Sequence, residues 1–155
     1  MPDITEPCTP RLPLGAMISI ISRTQFVLLN ERLRPFGLSA GQFPVLITLV
    51  VRQNIMQDTL ARHLHIDKGA VARSVAKLVG AGYVRRITDP GNRRAVRLFL
   101  TKKGEAIAPE ILRIDREWEE LACSRLSPAD REKFSLLAES VALTCRDTLE
   151  KMEAD

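Results

Sequence analysis

Residues 64–104 read LHIDKGAVARSVAKLVGAGYVRRITDPGNRRAVRLFLTKKG, and this stretch decides the fold of the chain. Asp67 is of a residue type that caps helix N-termini. After it, Val71, Val75 and Leu78 recur at the spacing of one buried helix face, and Gly80 follows as a helix stop. The first half of the stretch therefore predicts a helix that begins at Asp67 and ends near Gly80.

A second, shorter helix is predicted immediately before this one. Residues 57–64 form an amphipathic stretch, and only two residues separate it from Asp67. Two short helices joined by a tight turn are typical of a helix-turn-helix. We therefore assign residues 57–80 to this motif.

A β-hairpin is predicted after the helix-turn-helix, over residues 84–100. Apolar and polar residues alternate on both sides of Asp89-Pro90-Gly91-Asn92, which is a strong turn signal. Such a hairpin forms the wing of a winged helix, for which the sequence predicts the range 39–101. A capping-box pair, Ser39 and Gln42, indicates that another helix opens this range.

Long amphipathic helices are predicted on both sides of the winged helix, over residues 13–36 and 102–153. Their apolar stripes are wide enough to pack against a second copy of the chain. Residues 1–12 contain three prolines and predict a tail. We therefore expect one domain over residues 13–153, of mainly α (α+β) class, in which the terminal helices form a dimerisation region.

The charge of the 155-residue chain is concentrated in its middle. The net charge is +4, but Arg52 to Lys103 contains twelve Lys or Arg and three Asp, a local charge of +9, so that the remainder carries −5. A basic segment of this kind indicates a polyanionic partner. On a winged helix, the expected partner is double-stranded DNA.

Several other classes of protein are excluded by the sequence. No apolar run approaches the roughly 20 residues of a membrane span, and the N-terminal MPDITEPCTPRLP does not have the pattern of a secretory signal. We therefore expect a cytoplasmic protein with no membrane partner. The sequence contains no Gly-rich phosphate loop, GxSxG or HExxH, so we expect no catalytic residue, metal ligand or cofactor.

The predicted recognition surface combines small and cationic residues on the helix face opposite the apolar stripe. Arg73 has two donors that suit guanine, and Gly69 and Ala70 allow close approach to base edges. Lys68 and Lys77 suit phosphates. The expected DNA contacts are Lys68, Gly69, Ala70, Arg73, Ser74 and Lys77 in the helix, and Arg86, Asn92, Arg93 and Arg94 in the hairpin.

Two polar residues of the hairpin turn have expected structural roles. Asp89 is expected to cap the turn backbone or to pair with Arg93 or Arg94, and not to contact DNA. Asn92 is expected to act first as a turn residue and second as a phosphate contact.

Three strings in this region resemble a known family. They are DKG-x-VAR-x-V-x-KL at 67–78, a D-x-x-NRR wing at 89–94 and LTxKG at 100–104. Together they are similar to the multiple-antibiotic-resistance regulator (MarR) family of winged-helix transcription factors. The resemblance extends over nearly the whole chain, from about Leu14 to Met152.

Two residues depart from the pattern of this family. Met56 stands where a hydroxyl cap is common, and His65 stands where a glycine is common. His65 would need a left-handed backbone, which histidine tolerates better than β-branched residues do.

The resemblance implies a homodimer that binds a pseudo-palindromic operator and acts as a transcriptional repressor. The two recognition helices would enter successive major grooves one helical turn apart. The resemblance also implies release from DNA by a small phenolic or other aromatic anion. The pocket for this anion would have apolar walls from Met17, Phe43, Ile47 and Ile111, and Arg23 would pair with the anion. Residues of these types are more often ordinary core or surface residues than ligand contacts.

Two alternatives remain open at the level of sequence. In the first, the winged helix is a protein-interaction module whose basic face binds a partner protein. In the second, a regulator of the same fold senses redox state through Cys8, Cys123 or Cys145.

Overall fold

The computed structural model describes residues 11–154, and its elements follow the predicted order. The helices are α1 (Leu14–Leu33), α2 (Phe43–Val51), α3 (Gln57–Leu64), α4 (Lys68–Gly80), α5 (Lys102–Ala122) and α6 (Pro128–Ala154), and the strands are β1 (Ile55–Met56), β2 (Val84–Asp89) and β3 (Asn92–Leu100). These elements confirm the predicted fold class. By their contacts, the described residues up to Ala40 form one compact unit, and those from Gly41 form a second.

The first unit contains α1 and the turn that ends it. A short 3-10 helix with Pro35 in its first turn follows Leu33, and Gly37 has the left-handed φ of 69° that permits the chain to reverse. The N–H of Leu38 donates to the Leu33 carbonyl at 3.2 Å, and Asn30 Oδ1 accepts from the Ala40 N–H at 2.9 Å. The predicted stop at Pro35 and Gly37 is therefore confirmed.

In the second unit, α2 begins later than its capping-box pattern indicated. A 3-10 helix covers Ala40–Gln42, and the α-helix starts at Phe43 with Pro44 in its first turn. Proline has no N–H and is tolerated only where a helix leaves that group unbonded. A start at Ser39 would have placed Pro44 beyond the first turn, at the cost of a backbone hydrogen bond.

The helix-turn-helix forms as predicted from α3 and α4. Between them, His65 adopts φ 49° and ψ 43°, the left-handed conformation that its position required. Asp67 caps α4, because its Oδ2 accepts from the Ala70 N–H at 2.8 Å. Leu60 of α3 is fully buried, as are the α4 side chains of the predicted stripe, Val71, Val75 and Leu78.

The wing is the antiparallel pair β2 and β3, in which Val84 lies opposite Leu100. The sequence did not predict β1, whose Ile55 pairs with Leu98 so that the sheet order is β1-β3-β2. Two residues are too few to show the alternation by which a strand is identified.

The start of α5 is fastened to the base of the wing. The Thr101 hydroxyl accepts from the Gly104 N–H at 3.1 Å and donates to the Gly82 carbonyl at 2.6 Å, while the Thr101 N–H donates to the Tyr83 carbonyl at 3.0 Å. Gly104 lies so close to Tyr83 that an added Cβ would overlap the Tyr83 carbonyl oxygen. Farther along α5, Ile111 and Ile114 are fully buried.

The last helix, α6, is capped as predicted and exposes its apolar residues. Ser127 Oγ accepts from the Asp130 N–H at 3.2 Å and donates to its carboxylate at 2.7 Å. Beyond this cap, Phe134, Leu137 and Val141 are each about half exposed.

No single helix within residues 11–154 is both long enough and apolar enough to cross a membrane. Residues 14–36 and 40–51, on either side of a break, reach the necessary length and hydropathy only when the two are taken together.

The close approach of Gly104 to Tyr83 generates a stability prediction. Gly104→Ala should lower the free energy of unfolding by about 1–3 kcal/mol, because the added methyl group overpacks this junction. Denaturant unfolding followed by circular dichroism measures the change.

The control is Gly80→Ala, the same substitution at the end of α4, where an added Cβ meets nothing within 4 Å. It should change stability by less than about 1 kcal/mol. Equal losses in the two variants would show that the junction tolerates a side chain.

Candidate nucleic-acid interface

The exposed face of α4 carries three of the six cations predicted to contact DNA. Lys68, Arg73 and Lys77 are exposed, and Gly69 and Ala70 are half-buried between them. The buried stripe orients this face, because it packs the opposite side of α4 into the core, and the Asp67 cap fixes where the helix begins. Five of the six residues predicted on this helix therefore lie on or beside one accessible surface.

Ser74 is the exception, and its predicted contact with DNA is wrong. Its side chain is buried, with a relative exposure of 7%, and its Oγ donates to the Gly41 carbonyl at 3.0 Å. A hydroxyl in this position satisfies a backbone acceptor of the preceding segment and is not available to a base or phosphate.

Gly69 leaves room for two side chains at the start of α4. A Cβ at this position would lie 2.9 Å from Asp67 Oδ2 and 3.3 Å from Arg73 Nη1. The Arg73 side chain thus extends back along the helix to its N-terminus, where groove-reading residues of such helices are found. Lys68 Nζ lies 3.7 Å from Asp58 Oδ2, but both side chains are exposed, so this pair contributes little.

The wing turn is organised by the two polar residues identified in the sequence. Asp89 Oδ1 accepts from the Gly91 N–H at 2.9 Å, which is the first of its two predicted roles. Asn92 Oδ1 accepts from the Arg94 N–H at 3.1 Å, so Asn92 acts as a turn residue. Arg93 and Arg94 are exposed at this tip.

Several cations of the basic segment contact the protein itself. Arg86 is exposed, and its Nη2 donates to the Ala72 carbonyl of α4 at 3.4 Å, a contact between the wing and the recognition helix. Arg85 lies over the Phe99 ring at 5.1 Å. Lys103 Nζ lies 4.4 Å from the centre of the Tyr83 ring and donates to the Ala81 carbonyl at 2.7 Å. The charge count therefore overstates the number of cations free for a polyanion.

The residues predicted for an effector pocket have unequal exposure. Phe43 and Ile111 are buried, at 5% and 0% exposure, and belong to the core of the second unit. Their assignment as pocket walls is therefore wrong, because a ligand cannot reach a side chain enclosed on all sides. Ile47 of α2 is half-buried, and Met17 and Arg23 of α1 are exposed.

The structure also locates the side chains that could bind a metal ion or respond to redox state. Among residues 11–154, no three His, Cys, Asp or Glu side chains come together in a way that would hold a metal ion. Cys123 is buried and Cys145 is exposed. Cys8 lies outside the described residues, as does most of the predicted tail.

The chain is similar in sequence to a known family and to known proteins. A sequence model of the MarR family matches residues 38–96. The multiple antibiotic resistance protein MarR of Escherichia coli K12 is 35% identical over 99 residues, which are 64% of this chain and 69% of that protein. The chain belongs to the MarR family. Its relatives are transcriptional regulators and not enzymes, in agreement with the function class expected from the sequence.

Solved structures of MarR proteins have the same fold. A MarR transcriptional regulator from Methanosarcina mazei is 34% identical, with a TM-score of 0.77 over 88% of this chain and 96% of its own. A mutant E. coli MarR complexed with operator DNA is 29% identical, with a TM-score of 0.73 over 84% of this chain and 94% of its own. The winged helix-turn-helix is thus the architecture of this chain and of its relatives.

The burial of Ser74 generates a prediction that separates packing from DNA contact. Ser74→Ala should lower the free energy of unfolding by about 0.5–1.5 kcal/mol, because it removes the part-buried hydrogen bond from Ser74 Oγ to the Gly41 carbonyl. The base preference of the protein, measured with a set of single-base operator variants, should stay the same.

The same substitution at exposed Ser135 of α6, whose Oγ donates to the Arg131 carbonyl at 3.1 Å, provides the control. Its effect should stay within about 0.5 kcal/mol. A change of preferred base on Ser74→Ala would restore this residue to the DNA interface.

Proposed function

We propose that this MarR-family chain is a homodimeric repressor that reads a pseudo-palindromic operator with α4 and its wing. The observation that carries the proposal is the single accessible face of α4, where Arg73 and two lysines surround small residues. A helix with long donors beside small side chains suits entry into the major groove, where base edges are distinguishable.

Base reading is assigned to Arg73 and positioning to the cations around it. The guanidinium of Arg73 can donate two parallel hydrogen bonds to guanine O6 and N7. Lys68 and Lys77 supply phosphate contacts, and the N-terminus of α4 adds backbone N–H groups that favour anions. At the wing, Arg93 and Arg94 are proposed to bind the backbone or the adjacent minor groove, where cations are favoured.

The relative that supports this mode of action is the E. coli MarR mutant complexed with operator DNA, which is 29% identical to this chain. Two features of this chain support the same mode of DNA binding. One is the cationic face of α4, and the other is the pair of turn contacts made by Asp89 and Asn92, which orient the wing tip. A regulator of this kind acts on the chromosome, so the cytoplasm is its proposed location.

Dimerisation is supported by apolar side chains that are exposed on the terminal helices. On α1, Ile18 and Phe26 are exposed at 48% and 56%, and on α6, Leu137 is exposed at 57%. Apolar stripes of this length are typical of surfaces that pack against another molecule. A second copy of the chain is the proposed partner, because symmetric dimers are the commonest assembly.

The repressor is proposed to respond to a small aromatic or phenolic anion. The resemblance to the family first suggested this effector, and with Phe43 and Ile111 in the core, its site must involve other residues.

The role of Arg73 is tested with duplexes that the protein itself selects from a random library. Arg73→Ala should cost about 1–3 kcal/mol on the selected duplex and relax the preference at one base pair. Lys77→Ala is the comparison, because loss of a phosphate contact should weaken binding to all duplexes alike and reduce the salt slope by about 1. Fluorescence anisotropy over a salt series measures both.

Two results would contradict this assignment. If the selected duplex binds no more tightly than random duplex at physiological salt, the protein-interaction alternative replaces DNA reading. If Arg73→Ala weakens binding equally on all duplexes, Arg73 contacts phosphate and not a base.

The proposed dimer is tested on α6. Leu137→Arg places a charge in the apolar stripe and should convert the dimer to a monomer, because an unpaired buried charge is costly. Light scattering coupled to gel filtration measures the mass. Glu139→Arg introduces the same side chain 200° around the helix axis, by 100° per residue, and should leave the dimer intact. Equal masses for the two variants would move the interface away from this stripe.

A further inference from the structure

A cleft of about 610 Å³ lies in the second unit, between α2, β1, α3 and β3. Its volume falls within the range of sites that bind small molecules, roughly 300–1,000 Å³. None of the side chains assigned above to DNA reading lines it.

The cleft has an apolar part formed by two elements. Ile47 and Val51 come from α2, and Met56 comes from β1. Val51 is 74% exposed, so this part of the cleft is open to solvent. Such a surface fits the apolar body of a small molecule and gains from its burial.

The polar part of the cleft has two arginines and a histidine and no acidic residue. Arg97 is half-buried in the wall, and Arg52 and His63 are exposed at the rim. No Asp or Glu occurs among the residues that line the cleft. This composition favours an anion over a cation or a neutral ligand.

Arg97 is held in place by an unusual backbone residue. Its Nη1 donates to Asn54 Oδ1 at 3.2 Å, and the Asn54 N–H donates to the Leu98 carbonyl at 3.1 Å. Asn54 has φ 62°, a left-handed conformation that few side chains adopt. This acceptor is a neutral amide, so the positive charge of Arg97 is oriented without being neutralised.

We propose that this cleft binds a small organic carboxylate with an apolar body. The carboxylate accepts from the guanidinium of Arg97, a geometry in which two parallel hydrogen bonds form, and the body contacts Ile47, Val51 and Met56. This assignment rests on the proposed effector response and names its site. Ile47 is the one residue that it shares with the pocket expected from the sequence.

The elements of the cleft are continuous with those proposed to contact DNA. β3 runs from the wing tip at Asn92 to Arg97, and α3 is the helix that precedes the recognition helix. A ligand on Arg97 is therefore positioned to change the wing and the helix-turn-helix together.

The two histidines of the chain allow a direct test. His63 lines the cleft and His65 does not. The probe is sodium naphthoate, titrated into the full-length protein without DNA and followed by proton–carbon NMR of the imidazoles. The His63 signal should shift with saturation and the His65 signal should stay in place. The uncharged isostere, naphthyl methanol, should bind about tenfold or more weakly.

Variants separate the roles of charge and geometry. Arg97→Ala should weaken naphthoate binding about tenfold or more, whereas Arg125→Ala, which removes an exposed arginine elsewhere in the second unit, should have no effect. Asn54→Gly keeps the left-handed backbone available and removes only the acceptor, so it should weaken binding while the protein stays folded. Calorimetry measures the affinities.

The proposal is overturned if naphthoate shifts both histidines alike or neither of them, or if Arg97→Ala and Arg125→Ala bind it equally. It is likewise overturned if Asn54→Gly, shown to be folded by circular dichroism, binds as the native chain does. Because no DNA is present, such a failure is distinct from failure of operator binding, which the selected duplexes test separately.

Discussion

The junction at Thr101 is the contact on which the DNA-binding half of the molecule depends. The backbone N–H of Thr101 donates to the Tyr83 carbonyl and its hydroxyl donates to the Gly82 carbonyl, and Gly104 lets α5 begin directly against Tyr83. The carbonyls belong to the segment that joins α4 to the wing. The hydrogen bonds of Thr101 therefore connect the end of the recognition helix, the base of the wing and the start of α5.

The hydrogen bonds at this junction bear on DNA reading because they join the recognition helix to the wing. A recognition helix and a wing bind DNA together only if their separation is constant, because each good contact requires geometry within hydrogen-bond tolerance. Arg86 adds to that constancy through its bond to the Ala72 carbonyl, and Lys103 adds to it at Ala81. Both cations belong to the basic segment, but here they act as hydrogen-bond donors to the backbone of the protein itself.

The polar residues of the second unit divide into those that contact the chain and those that remain accessible. Ser74, Asp67 and Asp89 have their side-chain oxygens bonded to nearby backbone groups. Arg73 and the wing-tip arginines are exposed. Arg97 is intermediate, since its guanidinium is oriented by Asn54 and still borders an open cleft. The proposed DNA-binding and ligand-binding residues are therefore the cations whose charge is not neutralised by these contacts within the protein.

The sequence by itself determined the helix-turn-helix, the wing and most helix ends, because those features depend on local signals. The Asp67 cap acts three residues away, and the apolar stripe of α4 repeats within one helix. Only the tertiary structure decided that Ser74 is buried, since its acceptor is 33 residues distant, and that Arg97 is oriented, since Asn54 is 43 residues distant. Likewise, Phe43 and Ile111 are apolar residues on helices, and nothing in their spacing distinguishes a core position from a pocket wall. Burial and long-range hydrogen bonds depend on which elements pack together, and a single helix period carries no record of that packing.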